Sequence, residues 1–408
     1  MRWRNFRSGN HHHFHPLEKL RIMEFGAEYF PALELAIATA KKTIYLEVYI
    51  FADDPVGRRI SAALCSAAKR GIDVKVIVDW VGSSRTIDQF AWNSAGIQFE
   101  FYNPKWLGPF GLSRTHRKIV AIDHQRAFVG GINICDDCLD VSGRKLQNPR
   151  WDFAVEMRGE LALEVAKTFE WQWERSKPNH FFTPLIREIK SESKFPWNSL
   201  MQIKAPSIAH ESVGAFIARD NLHHRRDIER AYLKAIGAAN QEIYLVSAYF
   251  LPGHRLRTAL TSAAKRGVRV NLLVGTGEFK WLDAALSALY GALLNSGVHI
   301  YEYLADQLHA KLLIADGQWM TIGSSNCDPL SFLVNHEANL IVIDKTYASW
   351  LVERVDTAIQ MRSKKVDVKK YLQRSIWKKT IQWLAYIVSR VMTRLLIFSI
   401  HKPIKSEK

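Results

Sequence analysis

Cysteine is scarce, with four residues in a chain of 408. So few thiols cannot build a dense disulfide framework, and burial of apolar side chains has to hold the fold instead. The opening stretch, Met1 to Pro16, has Arg and His but lacks the apolar core of a signal peptide, which places the expected protein on the cytosolic side. A shortage of apolar residues, the mark of a disordered chain, does not apply: 48% of positions are apolar and 24% charged. The length allows two or three domains at about 100 to 200 residues each.

Acids are missing in one region above all. The chain has 56 Lys and Arg against 40 Asp and Glu, a net charge of +16, and Met361 to Lys408 holds 13 of the basic residues beside only Asp367 and Glu407. That tail therefore carries +11, which leaves +5 for the other 360 residues. A nucleic-acid groove would spread basic residues through the folded body, whereas a basic tail next to apolar sequence suits an anionic membrane surface. Within it, Ile381 to Ile400 is apolar at 14 of 20 positions. On a helix, Gln382, Ser389, Arg390, Thr393 and Arg394 fall near one face, and Trp383, Leu384, Ile387, Val388, Val391, Leu395 and Phe398 cover much of the rest. Arg390 and Arg394 would make a membrane-crossing helix costly, so the expectation is a helix lying in the interface, with a helix packed on the protein's own core as the alternative.

The chain repeats itself. Lys42 to Asp79 and Gln241 to Val274 share an IYL strand start and an identical SAAKRG. In each copy a β-rich run (Ile44 to Phe51, Ile243 to Leu251) leads into an Ala-rich helix closed by Gly71 or Gly267, followed by a Val/Ile strand. These are βαβ units, and they predict a mainly parallel sheet covered by helices in each half. The expected organisation is an N-terminal segment (1–26), a first half (27–175), a Ser/Lys/Pro-rich linker (176–212), a second half (213–360) and the basic tail (361–408).

A second duplication carries the chemistry. His116, Lys118, Asp123, Gly130, Gly131 and Asn133 recur at identical spacing as His309, Lys311, Asp316, Gly323, Ser324 and Asn326. In HRKIVAID and HAKLLIAD the apolar alternation is that of a strand, so His and Lys project from one side and can grip one group together. Imidazole supplies a nucleophile or an acid, Lys a fixed charge and Asn a neutral donor, a set suited to a phosphate in transfer. One His cannot both attack phosphorus and protonate the alkoxide leaving on the opposite side. Two copies facing each other across a pseudo-twofold axis make one working site, one imidazole neutral and the other cationic. No carboxylate cage for a metal is visible, and Lys and Asn can take the ion's place, so neither metal nor cofactor is expected. Asp123 and Asp316 precede tight turns, where a turn role competes with direct chemistry. Cys135 and Cys138 form C-x-x-C without a second pair and are expected as reduced thiols.

The duplicated motif resembles the HKD signature of the phospholipase D superfamily over roughly Tyr29 to Ile343. GSSNCDPLSFLVNHEANLIVID, after the second motif, resembles bacterial cardiolipin synthases more than nucleases of the superfamily, and RDNLHHRRDIERAYLKAI (Arg219 to Ile236) is similar to the subtype called cardiolipin synthase B. The resemblance implies an α/β fold of two similar α/β/α sandwich halves with the active site at their interface. It implies transfer of a phosphatidyl group from one phosphatidylglycerol to another through a phosphohistidine on His116, with His309 as acid and then base. Asn133, Asn326 and Ser324 would hold the phosphate, and downstream carboxylates, Glu337 and Asp152, would orient the imidazoles. Gly131 stands where many relatives have a Ser. The expected partners are phosphatidylglycerol and anionic membrane lipids rather than nucleic acid, at the cytoplasmic face of the bacterial inner membrane through the tail. A phospholipase D-type phosphodiesterase acting on phospholipid, or on nucleic acid, would share every catalytic residue.

Overall fold

The computed structural model describes residues 13–83, 87–104, 113–140, 143–176, 212–305 and 307–401, the last seven by backbone alone. Each repeat builds the same unit. In the first, strand β3 (Thr43–Val48), a helix (Pro55–Lys69), β4 (Asp73–Asp79) and β5 (Gln98–Tyr102) form a parallel ladder. In the second, β10 (Glu242–Ser247), a helix (His254–Lys265), β11 (Arg269–Gly275) and β12 (His299–Tyr303) do the same. The helices bury Ile60, Leu64 and Ala67, or Leu256, Leu260 and Ala263, at helical spacing against the sheet. Each ends at the shared Arg-Gly, where Gly71 (φ 87°) and Gly267 (φ 90°) take the left-handed turn that only glycine adopts without strain.

The motif segments follow as hairpins, β6 (Ile119–Ile122) with β7 (Arg126–Gly130) and β13 (Lys311–Ala315) with β14 (Trp319–Gly323). Next to them lie β8 (Phe153–Arg158) and β15 (Glu337–Ile343), and then β2 (Leu20–Glu24) and β9 (Val213–Arg219). The first sheet runs β2-β8-β7-β6-β3-β4-β5; the second repeats that order as β9-β15-β14-β13-β10-β11-β12 and adds β1 (His15–Pro16) at one edge and β16 (Ser363–Lys365) at the other. The halves are thus mixed sheets, and the expectation of mainly parallel ones holds only for the repeats. A three-residue turn joins the antiparallel neighbours in each motif, while a parallel return needs a long crossover that the motif segments do not contain.

Two helices, Glu160–Ser176 and Lys345–Arg362, sit between the sheets and share one core with them: Phe169 and Trp173 with Tyr45, Val155 and Phe216, and Leu351 and Val355 with Leu312 and Ile322. The outer helices of each half close a separate core on the far face of its sheet. Each sheet is therefore covered by helices on both sides, and the two halves are one packed body.

Three expected boundaries move. The N-terminal segment is not a separate piece, because β2 belongs to the first sheet and β1 to the second. Residues 177–211 of the linker lie outside the described residues, and Ser176 ends a helix. The tail contributes β16 to the second sheet, then a short helix (Val368–Leu372) and a long one (Ile376–His401) that lies on the helix Lys280–Asn295. That long helix is turned opposite to the core-packed alternative: Gln382 and Ser389 face the protein at 7% and 3% exposure, while Trp383, Leu384, Val388 and Val391 stand out at 49–58%. The buried polar atoms are satisfied, Gln382 by Arg374 and Ser389 by the Ala385 carbonyl at 2.8 Å. No described helix is long and apolar enough to cross a membrane.

Candidate active site

The two motifs meet at the carboxyl ends of the parallel strands, where His116 and Lys118 lead into β6 and His309 and Lys311 open β13. The halves hold each other there through backbone. The His116 N–H donates to the His336 carbonyl at 2.8 Å and His336 N–H to Arg114 O at 2.8 Å; likewise His309 N–H donates to Trp151 O at 2.9 Å and Trp151 N–H to Gln307 O at 3.0 Å. Each motif histidine is thus clamped to the residue that precedes the other half's carboxylate.

The carboxylates cross over as a result. His116 Nδ1 lies 3.1 Å from both oxygens of Glu337, and His309 Nδ1 lies 2.5 Å from Asp152 Oδ2. With Nδ1–H donated to an acid, each ring keeps its Nε2 lone pair for the site. The acids are themselves held. Ser324 Oγ donates to Glu337 Oε2, and Asp152 accepts from the Phe153 N–H at 2.8 Å and faces Lys311 at 3.6 Å. The departure at Gly131 has a geometric cause: a Cβ built there falls on the Asp152 carboxylate, so the shorter acid occupies the space that a serine would need.

Lys118 and Lys311 are buried, each donating to the carbonyl of its own motif's His. Burial pushes Lys118 down to about 7 and Lys311 to about 8, the carboxylates opposing it. Burial also lowers both imidazoles; Glu337 opposes that at His116, and Lys311 deepens it at His309. The expected split into one neutral and one cationic His is therefore not built into the protein alone. Asn133 and Asn326 turn their side-chain oxygens to the Ile50 and Tyr249 N–H groups at 3.2 and 3.4 Å, which points the amide NH2 the other way.

Asp123 and Asp316 do not reach this cluster. Five residues on, at about 3.3 Å per residue, they lie roughly 16 Å along the strand from the lysines. Each sits at φ 53° and binds backbone N–H groups at the start of the neighbouring strand, of residues 41–43 and 240–242 respectively. Their place in the motif is a turn, and the catalytic reading of these two is corrected. All four cysteines are free thiols. Of the loop before His116, residues 105–112, with Trp106, Leu107 and Phe110, lie outside the described residues.

Position-by-position reading of the motif missed a buried ionic group behind His116. Arg117 Nε donates to Glu337 O at 3.3 Å, its Nη2 donates to Arg219 O at 2.9 Å, and its Nη1 lies 3.6 Å from Glu47, which also accepts from Thr115 Oγ1. Asp79 accepts the Thr115 N–H at 3.0 Å, and burial pushes its carboxyl up to about 6. The matching positions of the second half hold Val246, Leu308, Ala310 and Gly275. A lone charge in the strand TIYLEV, buried from Ile44 to Val48, was the available signal. The side chain of Tyr49 adds a ring edge-on to His116 at 5.2 Å.

A family model described as "Cardiolipin synthase, PLD-like domain" matches residues 33–173 and 232–359. Among curated relatives, cardiolipin synthase B of Salmonella typhi is 36% identical over 375 residues, 90% of this chain and 87% of that protein. Cardiolipin synthase B of Escherichia coli K12 is 34% identical over 378 residues, with the same shares. A cardiolipin synthase of Clostridium perfringens SM101 is 28% identical over 372 residues, 89% of this chain and 75% of that one. Among solved structures, phosphatidylserine synthase of Haemophilus influenzae matches with a TM-score of 0.70 at 16% identity, covering 98% of this chain and 99% of that one, a likeness of fold. Two motifs with crossed carboxylates, a family model over both halves and relatives matched along nine-tenths of the chain converge, and the chain belongs to the cardiolipin synthase family of phospholipase D-like proteins.

Proposed function

We propose that this protein is a phosphatidyltransferase making cardiolipin from two molecules of phosphatidylglycerol. The observation that carries the reading is the pairing of each motif histidine with a carboxylate from the other half, which aims two Nε2 atoms into one site. His116 Nε2 attacks phosphorus, the bond from phosphorus to the headgroup glycerol oxygen breaks, and His309, cationic at that moment, gives its proton to the leaving glycerol. The phosphatidyl group is then held on His116. A primary hydroxyl of a second phosphatidylglycerol gives its proton to His309 as its oxygen attacks phosphorus, the P–N bond breaks, and cardiolipin leaves with both imidazoles returned to their starting states. The phosphodiester's negative charge keeps Lys118 and Lys311 protonated and favours the cationic form of His309, the charge that the empty pocket disfavours. Asn133 and Asn326 contribute neutral donors around the phosphate, while Ser324, whose hydroxyl proton is committed to Glu337, acts behind that acid rather than on the phosphate. The basic tail supports peripheral attachment to the anionic cytoplasmic face of the cell membrane.

Purified protein incubated with headgroup-labelled phosphatidylglycerol vesicles in excess EDTA tests this. Cardiolipin and free glycerol in equal amounts are expected. Phosphatidic acid as the main product would replace transfer with hydrolysis, and loss of turnover restored by a divalent ion would overturn the two-histidine mechanism.

A further inference from the structure

The reversed orientation of the C-terminal helix leaves two features side by side. Trp377, Ile381, Leu384, Val388 and Val391 follow one another at spacings of four and three residues, which on a helix is one continuous stripe, and all stand exposed. At the stripe's beginning, a groove of about 600 Å3 opens between this helix, Val368–Leu372 and Lys280–Asn295. Its walls include Ala288, Gly291, Thr380 and Trp383, its cations are Arg374 and Lys379, and no acidic side chain lines it. Tyr371 packs beside Gly291 of the helix Lys280–Asn295, its hydroxyl bonding the Ser287 carbonyl and its ring carrying the Arg374 guanidinium 3.2 Å above it. The cation is thereby fixed in place, with N–H groups beyond those bonded to Gln382 and Tyr371 O.

We infer that this groove is a binding site for the headgroup phosphate of an anionic phospholipid in a bilayer, with the stripe next to it buried among the acyl chains. The ligand chemistry follows from the lining. Two cations without a carboxylate call for an anion, and the apolar wall running on from them calls for one that carries hydrocarbon. Positioning gives the site a purpose. Tyr371 lies by Gly291, whereas Ala385 and Tyr386 pack on Ala285, Leu289 and Leu251, so the helix runs antiparallel to Lys280–Asn295. That partner helix begins just after β11, at the catalytic end of the sheet, and Leu251 bonds to Cys327 O beside Asn326. The stripe therefore leads from the groove toward the catalytic end, where Phe279 and Trp281 are also exposed. A lipid held in the groove seats the body so that this end meets the membrane. The inference rests on the membrane-surface reading above and adds a named site to it.

The test is co-sedimentation of the full chain with phosphatidylcholine vesicles, with and without phosphatidylserine, an anionic lipid that is not the proposed donor. Lys379→Gln and Arg374→Gln should each weaken binding to the anionic vesicles about fivefold, and Leu384→Gln with Val388→Gln about tenfold or more. Because these last two side chains are exposed, the thermal midpoint and the turnover of detergent-dispersed substrate should stay at wild-type values. Unchanged vesicle binding in Lys379→Gln and in the stripe variant would overturn the proposal, as would a lowered midpoint in the stripe variant, which would make the helix purely structural. Displacement of the vesicles by inorganic phosphate would assign the groove to a soluble anion instead. Binding is read without turnover, so a wild-type protein that binds as expected but makes no cardiolipin would fault the proposed reaction alone.

Discussion

The two halves have the same strand order and the same motif, yet they support their histidines by different means. His116 has a long acid steadied by Ser324 and, behind it, the buried group of Glu47, Arg117 and Asp79. His309 has a short acid packed against Gly131, a lysine 2.8 Å from its Nδ1, and aliphatic side chains behind. The two motifs are alike, and the difference between them lies in what surrounds each imidazole. Arg117 reaches across to the Glu337 carbonyl and so ties the strand of His116 to its acid, a link that Ala310 cannot make. That is the kind of asymmetry that two partners with different tasks require.

The comparison breaks most completely at the histidines themselves. His116→Ala and His309→Ala should each lower kcat by at least about a thousandfold, and the double variant should be little worse than either, because both serve one reaction. Turnover of labelled phosphatidylglycerol, with circular dichroism to confirm folding, measures this. A single variant that keeps a tenth of the activity would end the two-histidine account.

The buried pair gives the next effect. Glu47→Val leaves Arg117 charged and unpaired in the interior, and the expected loss is about 3–5 kcal/mol of stability in urea unfolding. Adding Arg117→Ala reproduces the Val246 and Ala310 environment of the other half and should recover part of that loss while kcat stays low, since the tie to Glu337 is gone. Full recovery of kcat in the double variant would show that Arg117 does not position the site.

Exchanging the local solutions has a smaller effect. Gly131→Ser should displace the Asp152 carboxylate and cost about tenfold in kcat, and adding Asp152→Glu should return much of it by recreating the Ser324 and Glu337 arrangement. Additive losses would show that the two positions are uncoupled.

The smallest effect is in pH dependence. Burial lowers Lys118 to about 7 and Lys311 to about 8, so KM should rise as the pH goes above about 8 while kcat changes less. The stability contribution has the opposite sign. Both folded values lie below the 10.5 of a free lysine, so the unfolded chain binds more protons between them and the two lysines favour folding increasingly as pH rises through that window. A KM that falls with pH would remove both lysines from phosphate binding.

Much of the site was legible because its information is local. Spacing put His and Lys together, and duplication put two sets in one molecule. Glu337 and Asp152 could be named as acids for the histidines only through family resemblance, since 221 and 157 residues separate them from the rings they hold. Asp123 and Asp316 show the reverse: they share the motif's spacing with His and Lys but serve the turn that ends its strand.

The amino-acid order by itself determined the two βαβ units, the paired motifs and the amphipathic character of the last helix, because periodicity and glycine placement act within a few residues of chain. Only the tertiary structure decided which acid holds which histidine, that Glu47 finds Arg117, and that the last helix buries Gln382 and Ser389 while turning Leu384, Val388 and Val391 outward. Periodicity shows that a helix has two unlike faces, but which face meets the protein depends on the partner. Here Arg374, just ahead of the helix, holds Gln382, the partner offers only a narrow apolar contact for Ala385 and Tyr386, and the broad apolar face was left to the outside.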